Sequence, residues 1–126
     1  MGQPEKAWKK NERRRYCRIG FTVYINCDYT NKMQSRNLSE QGIGVITDQL
    51  FEVDTYLNLS FVITEELQIQ TYAKVMWSRQ TGDNEYACGM QFWHMSAGTQ
   101  QKIHDYIETR IKEEPELEEW ESNSGS

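Results

Sequence analysis

The sequence predicts a mainly β domain closed by one C-terminal helix, on three observations. Apolar residues alternate with polar ones in six short stretches between Ile19 and Phe92, the period of a strand with one buried face. Turn-forming residues separate several of these stretches closely, which favours an antiparallel barrel or sandwich, because parallel pairing needs long crossovers. From Ser96 onward the spacing becomes that of an amphipathic helix.

Residues 1–11 carry Gly2, Pro4, several amines and one isolated apolar residue, Trp8, and read as a flexible basic arm. The first strand is expected over Ile19, Phe21, Val23, Ile25 and Cys27, followed by turn residues from Asp28 to Lys32. A short polar strand from Met33 to Arg36 leads to Asn37, and Ile43, Val45 and Thr47 mark a third strand. Leu57, Leu59, Phe61 and Ile63 mark the fourth, with Thr64-Glu65-Glu66 short enough for a hairpin. Ile69, Thr71, Ala73, Val75 and Trp77 form the next apolar row, which places Trp77 in the core. After the turn signal Thr81-Gly82-Asp83-Asn84, the last row is Tyr86, Cys88, Met90 and Phe92. In the helix, Ile103, Tyr106 or Ile107, and Arg110 or Ile111 share one stripe, with Ser96 or Thr99 as the cap. The helix should weaken after Lys112, ahead of Pro115. Residues 113–126 contain only Leu117 and Trp120 as apolar groups and are expected to form a disordered acidic tail.

A chain of 126 residues suffices for one domain with a modest core. Its 37% hydrophobic and 12% aromatic content argues against a disordered chain. It has no run of about eighteen apolar residues, so no membrane insertion is expected. The N-terminus lacks the apolar core of a secretory signal. Cys17, Cys27 and Cys88 are scattered and odd in number, which fits free thiols in a reducing cytoplasm. The net charge of −5 conceals a separation of sign. Lys6, Lys9, Lys10, Arg13, Arg14, Arg15 and Arg18 gather at one end, whereas six glutamates lie between Glu113 and Glu121 with no base among them. A basic patch suited to an anion and a solvated acidic tail follow from this.

Two short motifs carry the functional reading. Residues Arg13, Arg14, Arg15 and Arg18 precede and enter the first strand, and Arg14 and Arg18 form R-x-x-x-R. About twenty residues later, Asn37, Ser39 and Gly42 form N-x-S-x-x-G. Each alone is weak: the first reads as a solvated basic patch and the second as a plain turn. Their order, their separation and the strands that follow resemble the PilZ family, with Asn37 where Asp is often found. Ala73-Lys74-Val75-Met76-Trp77 and Ala87-Cys88-Gly89-Met90-Gln91-Phe92 resemble that family's paired late strands.

The resemblance spans roughly residues 12–112 and implies a six-stranded antiparallel β-barrel with a C-terminal helix. It also implies a bacterial receptor for the second messenger cyclic di-GMP. The implied ligand-binding residues are Arg13, Arg14, Arg18, Asn37, Ser39 and Gly42, with Arg15, Trp77 and Arg79 as secondary candidates. Arginine suits such a ligand because its fork matches both phosphate and the O6/N7 edge of guanine. Asn37 and Ser39 can bond guanine or phosphate, and Gly42 allows close backbone approach. The family position just before R-x-x-x-R is Arg13 here, which implies two cyclic di-GMP molecules per chain. Ligand binding would order the N-terminal loop and present it to an unidentified downstream protein.

Other chemistry is not indicated. His94 and His104 lack metal-ligand spacing, and His104 reads as a surface residue of the helix. Ser39 has no nearby base in sequence, and Gly42-Ile43-Gly44 is too short for a dinucleotide fingerprint. Neither catalysis, a metal nor a cofactor is therefore expected. One rival is a barrel that binds single-stranded nucleic acid through the basic arm and Tyr16, Tyr24 and Trp77. Net acidity weighs against it, and no nucleic-acid partner is expected. Another rival is a PilZ-like adaptor acting only through protein partners, which the intact motifs disfavour.

Overall fold

The structure is a computed structural model that describes residues 17–120. The chain order is β1 (Cys17–Gly20), β2 (Tyr24–Cys27), β3 (Thr30–Ser39), β4 (Gly42–Thr47), β5 (Tyr56–Thr64), β6 (Leu67–Gly82) and β7 (Glu85–Trp93). Helix α1 (Ala97–Glu113), a 3-10 turn (Pro115–Leu117) and β8 (Glu118–Trp120) complete it. Strands β2, β3, β4, β7, β6 and β5 pair antiparallel in that order, and β5 returns to β2. The six therefore close into the barrel implied by the resemblance, which removes the exposed edges of an open sheet.

Apolar alternation fills the interior as expected. Leu57, Leu59 and Phe61 of β5, and Ile69, Ala73 and Val75 of β6, are all buried. They meet Ile43 and Val45 of β4 and Met90 and Phe92 of β7 in one cluster. Ser96 caps α1 by accepting from the Thr99 amide at 3.1 Å. The helix adds Ile103 and Ile107 to the same cluster, and Tyr106 meets Phe21 edge-on with ring centroids 6.2 Å apart.

The structure departs from the sequence expectation at three places. The first strand is split at Phe21–Val23 into β1 and β2, which lie end to end along one side of β3. Ser35 makes the break tolerable. Its hydroxyl accepts from the Val23 amide at 2.9 Å and donates to the Phe21 carbonyl at 2.6 Å, replacing ladder bonds inside the core. Strand β3 is correspondingly longer than expected, so Asn37 and Ser39 lie on a strand.

Trp77 is not a core residue. A bulge lies between Val75, which pairs with Met90, and Trp77, which pairs with Gly89. The extra residue, Met76, shifts the alternation, so Trp77 turns away from the core row and is only half-buried.

At the C-terminal end the chain does not leave the domain after Lys112. Helix α1 runs to Glu113, and Glu118, Glu119 and Trp120 pair antiparallel with Ile19, Arg18 and Cys17. Backbone pairing decides this, since β1 has an open edge there that composition cannot reveal. Residues 1–16 and 121–126, including Arg13, Arg14 and Arg15, lie outside the described residues.

Ser35→Ala is expected to lower stability by about 2 kcal/mol, because it leaves a part-buried donor and a buried acceptor unmatched. A urea denaturation series would register this as an earlier midpoint at constant slope. An unchanged midpoint would show that the split does not depend on the hydroxyl.

Candidate functional site

The site is built on the outward face of the barrel beside β1. On β4, Gly42 and Gly44 alternate with the buried Ile43 and bring no side chain of their own to the floor, where the Asn37 side chain lies over Gly44, its Oδ1 2.7 Å from where a Cβ would stand. Asn37 pairs with Gly44 across the β3–β4 ladder, and Arg18 pairs with Ser39 across β1–β3. Arg18 Nη1 lies 3.4 Å from Asn37 Oδ1, a long bond that links the two motifs directly. Arg18, Ser39, Gly42, Gly44, Trp77 and Gln91 contribute to the lining of an open cavity of about 360 Å³.

Ser39 and Gly42 organise the turn between β3 and β4. The buried Ser39 hydroxyl accepts from the amides of Gln41 at 3.2 Å and Gly42 at 3.1 Å. Its proton points to the Gly42 carbonyl at 3.4 Å. The N-x-S-x-x-G pattern thus has a local meaning: serine ties the turn to itself, and glycine permits the strand contact that follows. A Cβ on Gly42 would stand 2.2 Å from the Met90 carbonyl oxygen.

Opposite the glycine floor stands Trp77. A Cβ on Gly89 would fall 2.1 Å from Trp77 Nε1, so only glycine leaves room for the indole as it lies. The Arg79 guanidinium sits over the same ring, 5.1 Å from its centroid, a distance suited to cation–π attraction.

Of the residues singled out in the sequence, the structure brings Arg18, Ser39, Gly42 and Trp77 to one cavity. Asn37 reaches it through its bond to Arg18, and the Arg79 guanidinium lies over the Trp77 ring. Gln41, Gln91 and Gly89 were missed. Only cross-strand register, such as Gly42 opposite Gln91, assigns them to the site.

His104 also departs from its reading as a plain surface residue. Its Nδ1 lies 2.6 Å from Glu40 Oε1 in the β3–β4 turn, and its Nε2 lies 3.2 Å from Glu108 Oε2. The bond to Glu40 raises the imidazole above its ordinary value of 6.5, outweighing the opposing effect of burial. Asp105 and Glu108 share this stretch of helix, and both are exposed. Burial pushes the Cys88 thiol up to about 12, which leaves it neutral and a poor nucleophile.

A second concavity, of about 470 Å³, lies among Asn58, Tyr72, Trp93, His94 and Thr99. Among the described residues no lysine or arginine lines it, so these residues are poorly matched to an anionic ligand. Among the described residues no helix is long and apolar enough to cross a membrane.

The fold is that of a closed antiparallel β-barrel domain with an open cavity, lined in part by Arg18, on its outer face. Residues 10–109 match the PilZ domain family model, and the chain belongs to that family. The Bacillus subtilis inhibitor of motility (MotI/DgrA) is a structural relative with TM-score 0.69 and 26% identity. That likeness covers 84% of this chain and 54% of the other, so this chain spans about half the length of MotI. The PilZ domain of Escherichia coli YcgR, solved with c-di-GMP, has TM-score 0.60 and 16% identity, covering 83% of this chain and 96% of that one. This second likeness is one of fold. No curated protein matches the chain in sequence.

Proposed function

We propose that this domain is a cytoplasmic receptor for cyclic di-GMP that signals by a conformational change rather than by catalysis. The observation that carries the reading is the convergence of Arg18, the Ser39–Gly42 turn and Trp77 on one cavity, with Asn37 bonded to Arg18. The ligand has two phosphate charges and two guanines, and the cavity supplies a fork for the former and an aromatic group for the latter. Ser39 contributes chiefly by holding the turn, since its hydroxyl is already engaged there. Asn37 holds the Arg18 fork in place and can reach a guanine edge. Kinship with the YcgR domain that was solved with c-di-GMP supports the assignment.

Magnitudes are compatible with signalling. Charge-assisted hydrogen bonds contribute about 1.5–3 kcal/mol each, whereas micromolar affinity requires about 8 kcal/mol. Three or four such bonds plus stacking reach that after the cost of ordering. Arg14 supplies the second fork of R-x-x-x-R, with Arg13 and Arg15 beside it, and closing these over the ligand changes the surface offered to a downstream protein.

Two ligand molecules bring four phosphate charges, two more than Arg14 and Arg18 neutralise, and Arg13 adds one further cation, with Arg15 or Arg79 as the source of another. Titration calorimetry should therefore give a molar ratio near two for the unmodified chain, falling toward one in Arg13→Leu. A ratio of one would remove the paired ligand and leave the receptor standing. Absence of saturable binding would remove the receptor reading itself.

A further inference from the structure

We propose that His104 is a positioning residue for the ligand turn: through Glu40 it ties helix α1 to the Asn37–Gly42 motif and holds the Glu40 carboxylate away from an anionic ligand. The inference rests on the cyclic di-GMP reading and extends it to a control on affinity. Glu40 occupies a variable position of the motif, directly between Ser39 and Gln41, both of which line the cavity. It is therefore the carboxylate nearest in sequence to the cavity wall. A negative charge there opposes a dianionic ligand. Released from His104, it would also be free to compete for Arg18, whose strand partner is Ser39, the residue just before Glu40.

His104 answers that charge from 64 residues away, with Nδ1 at 2.6 Å. Its other nitrogen faces Glu108 at 3.2 Å. A neutral imidazole has one N–H and can donate to only one of these two carboxylates, leaving a lone pair against the other. Only the imidazolium satisfies both. The carboxylates that act on it are Glu40 from the turn and Asp105 and Glu108 from its own helix, and all three favour the charged form.

The sign follows from the direction of the shift. The imidazolium forms more readily in the folded protein than its ordinary value of 6.5 allows. The tie to Glu40 is therefore complete below that value and weakens as pH rises through the higher folded value. Ligand affinity falls over the same interval. The phosphodiesters and guanines of the ligand hold constant charge there, so the change belongs to the protein. His94, the other histidine, lines the second concavity instead.

The test is cyclic di-GMP calorimetry on the full chain between about pH 5.5 and 8.5, the range in which histidine titrates. Four proteins are compared: unmodified, His104→Gln, Glu40→Gln, and the double variant. The unmodified chain should lose about three- to tenfold in affinity across the range, equivalent to up to one pK unit of linkage. His104→Gln should bind weakly and without that slope. Glu40→Gln should bind tightly at every pH, and adding it to His104→Gln should restore affinity. A purely structural histidine would not be rescued by neutralising Glu40. Binding with a flat profile, or a double variant no better than His104→Gln, would overturn the proposal while leaving the receptor intact. No binding by the unmodified chain at any pH would overturn both.

Discussion

Arg18→Ala should weaken cyclic di-GMP binding by about tenfold or more while the barrel remains folded, since one charge-assisted bond carries that much affinity. Arg18 enters the cavity from β1, and its Nη1 lies 3.4 Å from Asn37 Oδ1. Alanine removes the guanidinium and also frees Asn37 to rotate, so two of the groups assigned to the ligand are affected together. The core is spared, because the buried neighbour on β1 is Ile19. Arg14→Ala should act similarly on binding through the other half of R-x-x-x-R. Calorimetry gives the affinity, and a circular dichroism melt of the same sample shows whether the fold persists. Unchanged titration by Arg18→Ala would remove the assignment of this cavity.

The second large effect is expected from Gly42→Ala, which should damage both stability and binding. The added methyl would lie 2.2 Å from the Met90 carbonyl and 3.2 Å from Gln91 Cα. Both obstacles are backbone atoms of β7, so no side-chain rotation relieves the clash. Relief requires β4 and β7 to separate where Gly42 faces Gln91, next to the bond from the Phe92 amide to the Gln41 carbonyl at 2.8 Å. Overpacking of this kind costs about 1–3 kcal/mol or more. It would also displace the turn held by Ser39 and with it one wall of the cavity. Guanidinium denaturation beside a ligand titration reads both consequences. An unshifted midpoint would show that the two strands can part here at little cost.

How much was legible beforehand differs from residue to residue. Arg18, Asn37, Ser39 and Gly42 were visible because each occupies a fixed place in a short motif, and local spacing records such places well. What each does was less visible. Ser39 was assigned to the ligand, yet its hydroxyl serves the turn, because two amides two and three residues ahead converge on it. Gln91 and Gly89 carried no signal of their own, since each is ordinary within its strand. They join the site only because β7 lies between β4 and β6.

By itself the sequence determined most of the barrel strands, most of the core rows and the helix, because a period of two or of three and four is a local property that burial then enforces. It also determined the family, through residues whose order along the chain is the signal. The tertiary structure alone decided the rest. The first strand breaks because Ser35, twelve residues beyond Val23, supplies the missing bonds. Trp77 leaves the core row because a bulge against β7 shifts the alternation. Glu118–Trp120 join the sheet because β1 offers a free edge, and His104 acquires a role because the fold sets it against Glu40. Each depends on which backbone edge or side chain lies opposite after closure, and residues far apart in the chain hold no record of that in their local pattern.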